Sequence, residues 1–170
     1  MYRTLKKEIV SIMVDNRANV LTRVVSMFGR RGFNIDSLTV SATNDPSLSR
    51  ITIVFEGDTL SLNQIVAQTE KLEIVKDIKT LDVKKSFFRE LLMIKVKADK
   101  EIRREIKEIV DIYRAKIIDY QADVMSVELT GEPLKLDAFI KIMMPLGILE
   151  MCRTGIVAIE RGTNTMLNQE

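Results

Sequence analysis

Hydrophobic positions fall into short blocks whose period switches between two residues and three to four. Residues 8–14, EIVSIMV, are β-branched and apolar enough for a buried strand. Val20, Leu21, Val24, Val25 and Phe28 then share one broad helical face. Asn19 is placed to cap that helix, Arg30 and Arg31 fall in its last turn, and Gly32 supplies a left-handed stop. Residues 33–43 read as a second strand through Phe33, Ile35 and Val40, and Asn44-Asp45-Pro46 as a turn. A third strand over 48–56 carries Leu48, Ile51, Ile53 and Phe55. Ser61 and Gln64 have capping-box spacing, with Leu60 and Ile65 as the hydrophobic staple. The helix they open runs to about Leu72 and buries Leu62, Ile65, Val66 and Thr69; a fourth strand covers 74–83.

The order then repeats. Residues 90–98, ELLMIKVKA, form a strand, and 99–113 a helix on Ile102, Ile106, Ile109, Val110 and Tyr113. Strands over 116–121 and 123–130 precede a helix that starts at Pro133, buries Leu136, Phe139, Ile140 and Met143, and stops at Pro145 and Gly147. The last strand spans 148–160, with Gly155 marking a bulge. Two βαββαβ units make the fold α+β, each unit ferredoxin-like with one antiparallel sheet and both helices on one face. The predicted organisation is a first domain over 1–83, a charged linker over 84–89, a second domain over 90–162, and a polar, frayed tail over 163–170. Only the pattern repeats; residue identity between the halves is low. Each half is small and its open sheet face or edge strands need covering, for which dimerisation is the natural remedy.

Composition narrows the function. The chain of 170 residues contains no histidine, which removes the commonest general acid–base group and metal ligand near neutral pH. No cysteine cluster or glycine-rich phosphate loop replaces it, so a binding protein is favoured over an enzyme. Lys and Arg total 26 against 24 Asp and Glu, with 5% aromatic residues. That balance disfavours nucleic acid as a partner. No run approaches the ~18 apolar residues of a membrane span, and no basic segment followed by an apolar one opens the chain, so no membrane association and a cytoplasmic location are expected. Cys152, in an apolar run, reads as a buried small hydrophobe. Most of the nine methionines are spaced for core positions.

The loop Asp15-Asn16-Arg17-Ala18-Asn19 has chemistry to offer. It feeds a helix N-terminus, whose unpaired N–H groups and partial positive charge suit a carboxylate. Asn16 and Asn34 each carry a donor and an acceptor, and Val20, Leu21 and Ile35 supply an apolar wall, together matching a free amino acid. On the residues alone, the same asparagines equally serve as caps and turns.

The run DNRANVLTRVVSMFGRRGFNIDSLTV at 15–40 resembles the small, regulatory subunit of acetolactate synthase. So do DPSLSR at 45–50, RELLMIKV at 89–96, AKIIDY at 115–120 and RTGIVAIERG at 153–162. The resemblance implies an N-terminal ACT domain, the amino-acid-sensing form of the βαββαβ unit, and a C-terminal ferredoxin-like domain. It implies a homodimer that associates with a large catalytic subunit using thiamine diphosphate, magnesium and FAD, this chain itself carrying no cofactor. The small subunit raises its partner's activity and mediates feedback inhibition by a branched-chain amino acid, usually valine. A stand-alone ACT-type regulator of another enzyme is the alternative.

Carried over residue by residue, the effector site comprises Asn16, Arg17, Ala18, Asn19, Val20 and Leu21 with Asn34 and Ile35, the two asparagines acting across the dimer interface. The family usually has glycine, often after proline, immediately before this helix; here Ala18-Asn19 stands instead. Asparagine tolerates left-handed backbone, so the fold should survive. Its carboxamide either hydrogen-bonds the effector or occupies its space, and altered valine sensitivity is expected. Arg89 and Glu90, in a recurring family run, are the candidate contacts with the catalytic subunit; their plainer reading is a linker ion pair.

Overall fold

Strand β1 (Lys6–Asp15) is the centre of the first sheet because residues on both of its faces are buried. It pairs antiparallel with β3 (Leu48–Gly57) and β4 (Val75–Thr80), and β2 (Ile35–Ala42) lies outside β3, giving the order β2-β3-β1-β4. Helices α1 (Val20–Gly29) and α2 (Thr59–Thr69) send Val20, Val24, Phe28, Leu62 and Ile65 onto Val10, Ile12, Val14, Ile51, Ile53 and Phe55 of the sheet. Phe28, Phe33 and Phe55 meet edge to face with ring centroids 5.1–6.4 Å apart, the geometry aromatic quadrupoles prefer. The structure, a computed structural model, describes residues 6–167. The first five residues of the expected first domain and the last three of the expected tail lie outside the described residues.

The second sheet has five strands: β6 (Lys116–Tyr120), β7 (Val124–Gly131), β5 (Ser86–Lys97) and β8 (Ile148–Arg153) lie side by side in that order with antiparallel neighbours, and β9 (Val157–Glu160) pairs with β5 off that path. Helices α3 (Arg103–Tyr113) and α4 (Pro133–Met143) contribute Ile106, Val110, Leu136, Phe139 and Met143 to its core. Gly147, at φ +89°, ends the 3-10 turn Met144–Leu146 that follows α4. Both halves are therefore βαββαβ units, as their apolar periods predicted. Among the described residues, no helix is long and apolar enough to cross a membrane.

The chain packs into two compact units. One compact unit takes described residues 6–87 together with 156–167, and the other takes 88–155. The expected linker at 84–89 is instead largely strand: from Ser86 onward β5 alternates buried and exposed residues, with Phe88 and Glu90 inside and Phe87 and Arg89 outside. The adjacent phenylalanines and surrounding charge masked that period-two signal. The expected last strand over 148–160 is two strands, β8 and β9 (Val157–Glu160), both pairing with β5. Residues 156–162 pack with the first unit. Nor is the described tail frayed, because Thr165 O accepts from Lys79 Nζ at 2.6 Å and Leu167 N–H donates to Asp77 at 3.0 Å.

Smaller expectations change for local reasons. Asp58, not Ser61, caps α2 by accepting the Ser61 N–H at 2.8 Å, while Leu60 is exposed and staples nothing. Helix α1 ends at Gly29, so Arg30 and Arg31 lie beyond its last turn; Gly32 takes φ +73°. Cys152 is exposed, because it stands opposite Met93 on the uncovered side of edge strand β8. Of the methionines, Met13, Met125 and Met143 are buried, whereas Met93, Met144 and Met151 are exposed.

Candidate effector site

Four residues, Asn16–Asn19, join β1 to α1. The loop is held at its root by charge. The Asp15 carboxylate takes the Lys76 ammonium at 3.0 Å and the Arg17 guanidinium. Lys76 first, then Arg17, hold this carboxyl below the usual aspartate range. Asn16 is tied to the opposite turn: its N–H donates to Ser47 O at 2.7 Å and its Nδ2 to Pro46 O at 3.0 Å. That turn is itself an Asx structure, with Asp45 accepting the Ser47 hydroxyl at 2.7 Å and N–H at 2.8 Å, which lowers its pKa. The DPSLSR run thus braces the loop.

Asn19 adopts φ 66° and ψ −2°, the left-handed geometry that glycine takes most freely. Its carbonyl starts α1 by accepting the Arg23 N–H at 3.1 Å, but its side chain makes no capping bond. The sequence expectation of an asparagine cap is corrected here: with a left-handed backbone, Asn19 occupies the cap position without capping. The first-turn N–H groups of α1 receive no side-chain cap, and the Asn16 amide keeps its oxygen as an acceptor.

Asn16, Arg17, Ala18 and Asn19 are exposed, and Leu21 is half-exposed beside them. Val20 does not line the loop; it is 5% exposed and packs in the core. Asn34, exposed and donating to Asp36 at 3.4 Å, stands after the far end of α1, next to half-buried Ile35. At about 1.5 Å per residue, the ten residues of α1 span roughly 15 Å. One chain therefore gathers 16–21 but leaves Asn34 and Ile35 at the other end of the helix. Lys76 went unnoticed in the sequence because a lone lysine in a strand carries no signal; the braced turn was legible only as Asn-Asp-Pro.

The second candidate pair also separates. Strand alternation sends Arg89 outward, 3.4 Å from Glu132, and Glu90 inward, where it is 6% exposed and bonded by Arg153. They form no ion pair with each other, and Glu90 is not a surface contact. Arg153 also reaches Asp137 at 2.6 Å, so the RTG and REL runs meet inside the second unit.

Comparison with known proteins accounts for these runs. Residues 10–77 match the AHAS small subunit-like ACT domain, and residues 89–162 match the family described as small subunit of acetolactate synthase. The acetolactate synthase small subunit of Mycolicibacterium smegmatis is 42% identical over 90% of this chain and 90% of its own. The chain belongs to the acetolactate synthase small-subunit family. The Haemophilus influenzae member is 38% identical across 95% of this chain and 99% of its own. The crystal structure of the small subunit from Thermotoga maritima superposes with a TM-score of 0.87 at 37% identity, covering 94% of this chain and 99% of that one. The first unit thus contains an ACT domain, with the Asn16–Asn19 loop at the entrance of its first helix.

Proposed function

We propose that this chain is the non-catalytic regulatory subunit of a cytoplasmic acetolactate synthase. It binds the thiamine-diphosphate-dependent catalytic subunit, raises its activity, and lets a branched-chain amino acid, valine foremost, inhibit it. The observation that carries this reading is the uncapped N-terminus of α1 at Asn19 beside the braced, exposed Asn16. A carboxylate at those N–H groups gains about 0.3–1 kcal/mol from the helix dipole besides its hydrogen bonds. The Asn16 oxygen is an acceptor for an ammonium. Because Asn34 lies a helix length away, the ligand takes it from a second copy, and the effector site is a property of a homodimer. Magnesium, thiamine diphosphate and FAD belong, in this reading, to the catalytic chain. The alternative of a stand-alone ACT regulator is disfavoured because the family match continues through residues 89–162.

Asn19 adjusts the response. Its left-handed backbone preserves the loop, while its carboxamide stands where the family resemblance implies glycine, weakening valine binding. Calorimetry with valine on the full chain and on Asn19→Gly tests this, together with inhibition of the holoenzyme reconstituted from both subunits. The variant should bind valine more tightly and inhibit at lower valine concentration. Equal affinity in the two proteins overturns the role given to Asn19. Failure of the chain to co-purify with the catalytic subunit overturns the subunit reading.

A further inference from the structure

In the first sheet the helices cover one face, and the other carries Ile9, Ser11, Met13, Arg50, Thr52 and Val54 in register. A sheet with helices on one side commonly leaves this face to solvent. Here Ile9, Ser11, Met13, Thr52 and Val54 are all under 9% exposed, and Arg50 lies among them with its Nε donating to Ser11 at 2.8 Å. The segment 156–167 lies on that face and crosses it. It starts at edge strand β2, where the Ile156 N–H donates to Ser37 Oγ at 3.3 Å. It ends at edge strand β4, where Lys79 bonds Thr165 O and Asp77 receives the Leu167 N–H. Between them, Arg161 N–H donates to Lys85 O at 2.8 Å and its guanidinium stacks 3.9 Å from the Phe87 ring centroid.

Glu160 is the one carboxylate of the crossing segment, and Lys79 Nζ lies 3.6 Å from its Oε2, a buried oxygen with no hydrogen-bond partner. Burial lowers the pKa of the half-buried Arg50, and the charge of Glu160 opposes that shift, so this carboxylate acts on two cations of the sheet face. The last residue before the segment, Gly155, belongs to the second unit.

We propose that residues 156–167 are a strap latched across the ACT sheet by the Glu160–Lys79 pair, and that this strap carries the effector state of the first unit along the chain into the second. The first part stands on contacts within the first unit; the second rests on the regulatory reading above. The strap touches β2 two residues beyond Ile35 and β4 one residue beyond Lys76, the partner of Asp15. A shift of either strand on effector binding would therefore move the ends of the strap about its middle, which β9 fixes to β5.

The experiment uses Glu160→Gln, nearly isosteric and partly exposed, in the full chain, with Lys79→Gln and the double variant as its cycle. Hydrogen exchange should accelerate about fivefold in 161–167, beyond the β9 pairing with β5, and at the outer positions of β2 and β4, as expected for loss of a half-screened ion pair. Strands β6 and β7 should be unchanged. The double variant should exchange no faster than Lys79→Gln alone, since Lys79 also bonds the Thr165 carbonyl. Wild-type exchange in the strap of Glu160→Gln overturns the latch, as does full additivity in the cycle. Valine titration forms the second arm. Glu160→Gln should bind valine within about twofold of wild type, since the effector corner is intact, yet lose most of its inhibition in the reconstituted holoenzyme. Unaltered inhibition overturns the transmission role. If the wild-type chain itself binds no valine, the regulatory reading fails while the exchange arm still decides the latch.

Discussion

At Asn19 two demands on one residue separate. The backbone needs φ near 66°, which asparagine supplies at less cost than other side-chain-bearing residues. The helix N-terminus needs a ligand for its N–H groups, which Asn19 in this conformation does not provide. Asp15 shows the opposite economy, one carboxylate satisfying both Lys76 and Arg17 at the root of the same loop. Because its pKa is lowered by folding, its contribution to the loop is fully present above the unfolded value, about 3.9, and is lost as pH falls through the folded value. Asp45, lowered by Ser47, acts in the same direction. Amide exchange across 15–19 should therefore stay flat from pH 7 to about pH 4, after correction for intrinsic rates, and rise below it. Asp15→Asn should show faster exchange already at neutral pH and a weaker acid step. An identical acid step in that variant would assign the loop's pH response elsewhere.

At the scale of elements, capping and alternation decide where chain segments go. Asp58 takes over the cap of α2 because its extended backbone, φ −92° and ψ 164°, aims its carboxylate at the Ser61 N–H. Alternation along β5 places Glu90 inside, and Arg153, the last residue of β8, answers it while also holding Asp137 of α4. Three elements of the second unit are joined by this one guanidinium. Burial alone would lower the Arg153 pKa; the bonds to Asp137 and Glu90 outweigh it and raise it. Replacing Arg153 with methionine leaves Glu90 buried without its partner and should cost about 3 kcal/mol in urea unfolding. Adding Glu90→Leu should recover most of that loss, since both charges are then gone. A cost as large in the double variant would show that packing rather than charge is what Arg153 supplies. The pair was readable as two family runs, but not as a contact, since sequence separation of 63 residues hides the register that unites them.

For the whole molecule, two cores share one chain whose order in sequence does not match its order in space. Phe28 and Phe139 are both fully buried, one in each core. Phe28→Ala should destabilise the first unit by about 3–5 kcal/mol, and Phe139→Ala the second by a similar amount. Hydrogen exchange read by segment separates them. Residues 156–167 should lose protection with Phe28→Ala and keep it with Phe139→Ala, although they follow β8 directly in the chain. Protection of that segment tracking Phe139 instead would contradict its membership of the first unit.

Local pattern was enough for the two βαββαβ units, since periods of two and of three to four residues report which face of each element is buried, and burial drives both. At Asn19 the local pattern read as a side-chain cap, and only the resemblance to a family with glycine there pointed to left-handed backbone. What only the tertiary structure decided was pairing between distant charges and the destination of the last segment. VAIE at 157–160 reads as a strand, and nothing local tells that it pairs with β5 while its segment packs with the first unit. On the buried outer face of the first sheet Arg50 and Ser11 bond each other, and the segment's Glu160 and Thr165 carbonyl answer Lys79.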